Sequence, residues 1–533
     1  MNAQSYCVQI AFGLVTGISL SLAAEPAAKR CDVTGPDVAC TEQGAVRGAV
    51  EGELVAFKGL PYAKPPVGDL RWRPPAVLSA WDGVRDGTQF GAICPQISAK
   101  KVTGEEDCLT LNIWRPRQPP SKPLPVMVWL TGGGNSFLSG RGSGGFGGVR
   151  YNGGVLVPEG VIVVSFNVRL GALGFLAHAA LDVERPEKVS GNYANLDQIA
   201  MLRWLRANIA GFGGDPRKIM LFGTSAGGGS ICALISSPHA RGLFHAAAMQ
   251  SSVPTGCEIP TLADVQERTG QRVVKALGCD AAPDIAACLR GKSAAEIVSA
   301  VPAGTNVFPR VFGPNMDGYV FPDQPLRIIS RQAHSAMPII IGDTKDETIG
   351  WVQSGTPITD AETYATEIGK VFGLEARDRI LAAYPLSAYP SPMKAFIQLT
   401  TDAQFTCASR RVARAFSSAQ KELVHRYVFT HTMENDPQLK ALAANHTIEH
   451  AFLFPFGDKY KPADADVAVK EFMAGYWTRL AKTGNPNGAG NPSWPVAAGD
   501  AYLEVSATPT AKRGPDAAKC DFWDSVKVQW PHL

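Results

Sequence analysis

The stretch that decides the fold is Lys218-Ile-Met-Leu-Phe-Gly-Thr-Ser225-Ala-Gly-Gly-Gly-Ser230. Its apolar residues 219–222 predict a short buried strand. Small residues on both sides of Ser225 then predict a sharp turn into a helix, because larger side chains would collide with neighbouring backbone there. Such a turn raises the serine hydroxyl above the sheet edge and points the following backbone N–H groups at whatever it attacks. We therefore predict that Ser225 is a catalytic nucleophile.

This Gly-x-Ser-x-Gly pattern is weak evidence when taken alone, because the chain contains 54 glycines. The alternative interpretation is an ordinary serine in a glycine-rich turn. The choice between the two depends on whether distant parts of the chain supply the other groups that an activated serine needs.

Composition favours one large α/β domain. The 533 residues are 45% hydrophobic, which is enough for a large core, and predicted strands alternate with predicted helices along the chain. We expect a large, mostly parallel central sheet flanked by helices. Only 19% of the residues are charged and the net charge is +3, so the composition argues against a nucleic-acid partner.

The N-terminus is typical of an export signal. Residues 11–24 are apolar and rich in small side chains, and a cleavage site at Ser21-Leu22-Ala23 predicts a signal peptide of residues 1–23 before a single domain of residues 24–533. The basic residue that usually precedes such a run is missing, which leaves an uncleaved or lipid-anchored N-terminus as the alternative. No later run approaches the ~18 apolar residues of a membrane-spanning helix. We expect a secreted or periplasmic protein without stable membrane insertion.

The cysteines favour disulfides in an oxidising compartment. Cys7 lies in the predicted signal, and none of the other ten has the CxxC spacing of a zinc site. Candidate pairs are Cys31 with Cys40, Cys94 with Cys108, Cys279 with Cys288, and Cys407 with Cys520. Cys232 and Cys257 are then left over, and Cys232 is predicted to be a buried free thiol on the helix after Ser225.

A second glycine-rich stretch follows another predicted strand. Residues 125–130 are apolar and run directly into Thr131-Gly132-Gly133-Gly134-Asn135. Glycines at the carboxyl end of a strand allow backbone N–H groups to point into a cleft, where they can stabilise charge on a carbonyl oxygen. This stretch therefore predicts an oxyanion hole, and a flexible surface loop is the alternative.

Two further strands end in residues that could complete a serine site. Residues 337–341 lead to Asp346 and Glu347, and residues 423–429 precede His446 and His450. An activated serine needs a base within hydrogen-bond reach and a third group that orients this base. The order serine, acid, histidine is the one expected for an α/β-hydrolase.

Other segments complete the coarse prediction. Residues 161–168 and 246–250 are predicted strands, residues 198–209 a helix with one apolar face, and residues 261–299 helices above the sheet. Residues 44–48 and 54–57 are predicted to form a strand pair.

With these motifs in place, the sequence resembles the type-B carboxylesterases, the family that includes cholinesterases and certain fungal lipases. The matching stretches cover nearly all of the mature chain. They are Phe57-Lys-Gly-Leu-Pro-Tyr-Ala63, Glu106-Asp-Cys-Leu109, Asn208-Ile-Ala-Gly-Phe-Gly-Gly-Asp-Pro216, Gly484-Asn-Pro-Asn487 and Trp494-Pro495. The resemblance implies the α/β-hydrolase fold, with helical insertions covering an active-site gorge.

The resemblance also assigns roles to residues. Ser225 corresponds to the family nucleophile, Glu347 to the acid and His446 to the base. Asp346 is a poor second choice for the acid, and His450 is expected to have a structural role.

The same resemblance implies that Gly133, Gly134 and Ala226 donate the oxyanion N–H groups. It also implies the pairs Cys94–Cys108, Cys279–Cys288 and Cys407–Cys520.

Three residues depart from the family pattern close to the scissile bond. Thr224 replaces the glutamate that usually precedes the nucleophile, and Thr131 and Asn135 replace residues that are often aromatic. The loop between Cys94 and Cys108 lacks the aromatic residue of a choline site. The sequence therefore argues against a choline ester as the substrate.

We predict an exported serine carboxylesterase that acts through an acyl-enzyme on a small ester, without a metal or organic cofactor. Lys100 and Lys101 near the gorge mouth, and the absence of an acid at Thr224, favour anionic or polycarboxylate esters such as fumonisin-type toxins. The alternatives are an amidase or carbamate hydrolase of the same family, and a non-catalytic cholinesterase-like binding protein. The sequence leaves the oligomeric state open.

Overall fold

The computed structural model describes residue 33 and residues 35–142, 148–252, 257–302, 311–514 and 517–526. The predicted signal peptide, Cys7 and Cys31 lie outside these residues. No helix in the described ranges is long and apolar enough to span a membrane.

The strands in chain order are β1 Val38–Thr41, β2 Gly44–Arg47, β3 Ala49–Glu51, β4 Leu54–Pro61, β5 Val84–Asp86, β6 Gln96–Ser98, β7 Lys101–Thr103, β8 Thr110–Pro116, β9 Leu124–Leu130, β10 Ile162–Phe166, β11 Gly214–Thr224, β12 Ala246–Gln250, β13 Ile339–Thr344, β14 Val424–Phe429, β15 Ala501–Val505 and β16 Thr510–Arg513.

The helices are α1 Gly171–Phe175, α2 Ala179–Asp182, α3 Tyr193–Asn208, α4 Ala226–Ser236, α5 Leu262–Val265, α6 Gln271–Ala276, α7 Ile285–Arg290, α8 Ala294–Ala300, α9 Pro325–Ser330, α10 Ile349–Ser354, α11 Ala361–Phe372, α12 Leu374–Ala383, α13 Pro392–Thr401, α14 Cys407–Ala419, α15 Pro437–Leu442, α16 Asp464–Thr483 and α17 Ala517–Ser525.

A central sheet of 11 strands organises the molecule, in the order β3-β4-β8-β10-β9-β11-β12-β13-β14-β15-β16. Strands from β10 through β15 in this order run parallel to one another, and the strands at both ends pair antiparallel. The predicted mostly parallel sheet of an α/β-hydrolase is confirmed.

Both faces of this sheet are buried, as apolar strands of a parallel sheet require. Successive side chains of a strand point to opposite faces, so Ile219 and Leu221 pack toward α3, α4 and α14, whereas Met220 and Phe222 pack toward α16. Burial on both faces explains why the predicted strands are continuous apolar runs rather than alternating ones.

The connections leaving the carboxyl ends of β12 and β13 are long and helical. The first contains α5 to α9 and the second contains α10 to α14. Because all carboxyl ends of parallel strands lie at one edge, these insertions and the residues that follow β9, β11 and β13 converge at the same edge of the sheet.

One predicted strand pairing is wrong. Both predicted strands exist, but β2 pairs with β1 and β5 in a separate three-stranded sheet, whereas β4 pairs with β3 and β8. The tight turn at Gly52 lets the short strand β3 fold back on β4 and take the position that β2 was expected to occupy.

Disulfides join Cys94 to Cys108, Cys279 to Cys288 and Cys407 to Cys520, as the sequence suggested. A fourth disulfide joins Cys232 to Cys257, so the expectation of a free thiol at Cys232 is wrong. The chain segment after β12 returns to α4 and brings the two sulfurs together, which spacing alone did not suggest. Cys40 is also disulfide-bonded, while Cys31, its expected partner, lies outside the described residues.

Candidate active site

Ser225 occupies a strained turn between β11 and α4. Its backbone has φ 55° and ψ −123°, a conformation that is costly for a residue other than glycine and that marks functional sites. The turn is possible because its neighbours are glycines: a Cβ on Gly227 would lie 2.1 Å from the carbonyl oxygen of Leu130. The Ser225 N–H donates to the Gln250 carbonyl oxygen at 2.9 Å, which anchors the turn on β12.

The hydroxyl of Ser225 lies within hydrogen-bond distance of a histidine that is 221 residues away in the chain. His446 Nε2 is 2.9 Å from Ser225 Oγ, and His446 Nδ1 is 2.5 Å from Glu347 Oε2. Glu347 is fully buried, and its Oε1 accepts a hydrogen bond from the Thr344 backbone N–H at 2.8 Å. The structure therefore brings together the three residues that the sequence singled out.

Backbone contacts place the histidine against the acid loop. The His446 N–H donates to the Glu347 carbonyl oxygen at 3.1 Å, and the Asp346 N–H donates to the Ala444 carbonyl oxygen at 2.9 Å. This short bridge between two segments about 100 residues apart holds the imidazole at a defined height above the sheet.

Two aromatic rings flank the imidazole. The ring of Trp351, on α10, lies 4.6 Å from the ring of His446, and the ring of Phe405 lies 5.2 Å from it. Trp351 follows Glu347 by four residues, so the segment that carries Glu347 also places an aromatic ring beside His446. Neither aromatic residue was identified from the sequence.

The glycine-rich stretch after β9 lies beside the serine. A Cβ added to Gly132 would be 3.0 Å from the Cβ of Ser225. Gly133 and Gly134 have φ values of 87° and 57°, which allow the chain to turn there. Their N–H groups and that of Ala226, the first residue of α4, donate no hydrogen bond to another described residue. These three donors therefore stay available, which is the arrangement expected of an oxyanion hole.

A second buried carboxyl, Glu449, lies behind the acid. The Ser251 hydroxyl donates to Glu449 Oε1 at 2.8 Å, and the Tyr427 hydroxyl reaches the same oxygen at 3.3 Å. Burial and, to a smaller extent, the nearby charge of Glu347 raise the pKa of Glu449 to about 8.

Burial raises the pKa of Glu347 as well, opposed chiefly by the hydrogen bond from the Thr344 backbone N–H. Glu347 has more donors to its charged form, because Thr344 N–H and His446 both contact it. Glu449 Oε2 has no hydrogen-bond partner among the described residues. We therefore assign the negative charge of this pair to Glu347 and a proton to Glu449.

Sequence reasoning missed both Ser251 and Glu449. A usable signal existed, because Ser251 directly follows the predicted strand β12 and Glu449 follows His446 by three residues. Polar residues at such positions are candidates for the same sheet edge.

The two residues judged poorer candidates lie elsewhere. Asp346 lies beside the Ala444 backbone, and Glu347 rather than Asp346 contacts His446 Nδ1. His450 is buried between the rings of Trp129 and Tyr151, at 6.0 and 5.8 Å, and burial lowers its pKa to about 4. Both observations agree with a non-catalytic position for these side chains.

The structure also shows the surroundings of two residues that depart from the family pattern. Thr224 is buried, and its hydroxyl has no hydrogen-bond partner among the described residues. Asn135 donates its side-chain N–H to the Phe312 carbonyl oxygen at 3.1 Å, and this hydrogen bond anchors the glycine loop to a distant segment.

Lys100 and Lys101 are exposed at the tip of the β6–β7 hairpin. The side chain of Gln96, on β6, bonds both the N–H and the carbonyl oxygen of Leu138, at 2.8 and 3.2 Å. Because Leu138 follows Gly134 by four residues, the hairpin is attached to the segment that carries the candidate oxyanion donors.

Residues 36–523 match the model of the Carboxylesterase family. The chain belongs to this family. Among its relatives are the fumonisin B1 esterase of Sphingopyxis macrogoltabida and the para-nitrobenzyl esterase of Bacillus subtilis. The first is 36% identical over 476 residues, covering 85% of this chain and 83% of the relative. The second is 34% identical over 471 residues, covering 84% and 90%.

A solved structure of PNB esterase has the same fold. It superposes with a TM-score of 0.78 at 31% identity and covers 92% of this chain and 100% of the esterase chain. The family and its relatives identify this protein as a carboxylesterase, an enzyme that hydrolyses carboxylic ester bonds.

Proposed function

We propose that this carboxylesterase works as a serine hydrolase in which Ser225 attacks the ester carbonyl carbon. The observation that carries the proposal is the continuous chain of contacts from Ser225 Oγ to His446 Nε2 and from His446 Nδ1 to Glu347, at 2.9 and 2.5 Å. His446 takes the hydroxyl proton as the new C–O bond forms, and Glu347 holds the imidazole in the required tautomer and orientation.

The rest of the cycle uses the same groups. The N–H groups of Gly133, Gly134 and Ala226 stabilise the tetrahedral oxyanion, and His446 returns its proton to the leaving alcohol. Water, activated by His446, then attacks the acyl-enzyme and releases the carboxylic acid with regeneration of Ser225. The scheme needs neither a metal nor an organic cofactor.

Substituting Ser225 tests this proposal. Ser225→Ala should lower kcat by at least about 10⁴-fold while the protein still folds, because only binding and the oxyanion donors remain. Ser236→Ala, at the other end of α4, is the matched control and should retain activity.

Labelling by a serine-reactive phosphonate should occur in the parent and control proteins and fail in Ser225→Ala. Substantial esterase activity, or labelling at another residue, in Ser225→Ala would overturn the assignment.

We further propose that the substrate is an anionic ester, such as an ester of a polycarboxylic acid. Lys100 and Lys101 lie on a hairpin attached to the glycine loop, and the buried position before the nucleophile carries Thr224 instead of an acid. Positive charge at a gorge mouth raises the local concentration of anionic substrate. The resemblance to a fumonisin B1 esterase supports the same substrate class.

The test compares a neutral ester with a carboxylate-bearing ester at low and high salt. Lys100→Gln/Lys101→Gln should lower kcat/KM for the anionic ester by roughly two- to tenfold at low salt and leave the neutral ester unchanged. Lys122→Gln, an exposed lysine before the amino end of β9, is the control. Equal kcat/KM values for both esters in the parent enzyme, independent of salt, would contradict the proposal.

We also propose that the enzyme is exported and forms one catalytic domain over residues 24–533 after removal of residues 1–23. Disulfides that are buried in the core support this proposal, because such bonds persist in oxidising compartments. N-terminal sequencing of the protein from culture medium or periplasm would give a start at residue 24; a start at Met1 would contradict it.

A further inference from the structure

We propose that a polar cavity between α14, the strands β14 to β16 and α17 binds a small oxyanion that carries at least two negatively charged oxygens. The cavity has a volume of about 310 Å³. Its walls carry five cationic side chains and three anionic ones, which are Lys345, Arg410, Arg426, Lys512 and Lys519, and Asp402, Asp500 and Glu504.

Only some of these charged side chains form ion pairs with one another. Arg410 lies 3.1 Å from Asp500, and Lys512 lies 2.6 Å from Glu504. Arg426 and Lys345 have no carboxylate oxygen within 4 Å among the described residues. Among the described residues, the lining thus has two cations without an ion-pair contact, the buried Arg426 and the exposed Lys345.

Of the two cations, Arg426 provides the stronger argument for an anion site. Its residue is only 5% exposed, and one guanidinium nitrogen, Nη2, donates to the Thr406 carbonyl oxygen at 3.0 Å. Nε makes no hydrogen bond to a described residue, and the guanidinium carbon lies 5.6 Å from the centre of the Tyr502 ring. A buried guanidinium with unused donors is costly, and a bound anion that accepts from it would offset that cost.

The nearest interior acid does not provide these hydrogen bonds. Asp343, on the neighbouring strand β13, accepts from the Thr406 hydroxyl at 2.7 Å and interacts with Arg426 only through space. Burial raises the pKa of Asp343 to about 6, so this carboxyl is mostly charged at neutral pH and offsets part of the Arg426 charge through space, without accepting a hydrogen bond from it.

The volume of the cavity and its hydrogen-bond donors limit which ligands it can bind. A planar guanidinium and an ammonium group recognise phosphate or a small di- or tricarboxylate, and 310 Å³ accommodates a molecule of that size with some water. Both ligands share the chemistry of clustered anionic oxygens. Ser225, Glu347 and His446 do not line the cavity, so occupancy should not compete with the substrate.

The experiment titrates inorganic phosphate and, separately, citrate into the full-length protein at constant ionic strength, with chloride as the reference anion. A saturable rise in Tm is expected for at least one of the two probes, because a ligand that binds only the folded state stabilises it. Isothermal titration calorimetry gives the apparent Kd.

Lys345→Gln should weaken this Kd by about threefold or more, because Lys345 is exposed and its charge is partly screened. Arg426→Lys keeps the charge but loses the fork of donors, and it should weaken the Kd by about tenfold. Lys122→Gln changes the net charge equally and should leave the Kd unchanged.

No saturable rise in Tm with either probe would overturn the proposal. An equal Kd in Lys345→Gln and the parent protein would also overturn it, and this comparison decides the matter if Arg426→Lys does not fold.

Discussion

The Glu347 and Glu449 carboxyls form the most unusual residue-scale feature of the site. Two buried carboxyls that contact a common serine cannot both be charged without a large desolvation and repulsion cost. Assigning the proton to Glu449 leaves Glu347 charged, which is the state that the proposed mechanism requires for stabilising the imidazolium. Glu449 would thus act on the reaction only through Glu347.

This assignment predicts a pH-dependent stability difference between the parent enzyme and Glu449→Gln. Glu449 has a pKa of about 8 in the folded protein and about 4.5 when unfolded, so the folded state holds a proton that the unfolded chain has lost. Raising the pH through this window therefore destabilises the parent protein, by on the order of 1 kcal/mol per pH unit. Glu449→Gln lacks this proton and should gain stability relative to the parent as the pH rises.

Urea unfolding at pH 5.5, 6.5 and 7.5 measures this difference, and Glu53→Gln, at an exposed position, is the control. A parent-minus-variant stability difference that stays constant across these pH values would show that Glu449 is not the proton carrier.

At the scale of elements, the β11–α4 turn depends on close backbone packing against β9. Gly223 and Gly227 both approach the Leu130 carbonyl oxygen, where a Cβ would lie at 2.6 and 2.1 Å. Close approach of this kind explains why the turn at Ser225 and the glycine loop after β9 are positioned together: each element limits where the other can lie.

Gly227→Ala should therefore disrupt both elements. We expect a loss of about 1–3 kcal/mol in the free energy of unfolding and a lower kcat, because the new methyl group displaces Leu130 and the adjoining glycine loop. Gly291→Ala is the matched control, since its Cβ would meet nothing closer than 3.4 Å. Chemical denaturation and ester turnover of the two variants provide the comparison, and equal behaviour of the two would contradict this account of the turn.

Element boundaries were well predicted where burial on both sides makes a strand continuously apolar, as in β9 and β12, whereas β11 extends beyond the apolar residues 219–222 that predicted it. Pairing was predicted less well. The partners of β2 lie up to about 40 residues away in the chain. The pattern of apolar residues predicts which face of a strand is buried, but it does not predict which strand lies beside it.

At the scale of the whole molecule, the disulfides differ widely in the length of chain that they close. Cys407–Cys520 spans 113 residues, including His446 and the last three strands of the sheet, whereas Cys279–Cys288 spans nine. Closing a longer loop removes more entropy from the unfolded chain. The long-range bond should therefore contribute more to the stability of the fold.

Removing each pair by alanine substitution tests this expectation. Cys407→Ala/Cys520→Ala should lose about 2 kcal/mol more unfolding free energy than Cys279→Ala/Cys288→Ala, from loop entropy alone. Equilibrium unfolding in urea under non-reducing conditions measures both variants. A smaller loss for the 113-residue loop than for the nine-residue loop would exclude chain entropy as the main contribution.

The sequence by itself determined the fold class, the family and the stretches from which the site is built. This was possible because Ser225, Glu347 and the glycine loop each follow an apolar strand closely, and strand ends of a parallel sheet converge at one edge. The catalytic roles of these residues remain predictions, to be tested by the Ser225 and phosphonate experiments.

Only the tertiary structure decided which side chains meet behind that edge. Ser251 contacts Glu449 across 198 residues, Cys232 pairs with Cys257 instead of remaining free, and Arg426 is buried beside a cavity with donors unused. Such contacts depend on how separate segments pack in three dimensions. Composition, spacing and periodicity do not predict these contacts. Each partner taken alone is an ordinary polar residue or cysteine near the end of a strand or on a helix.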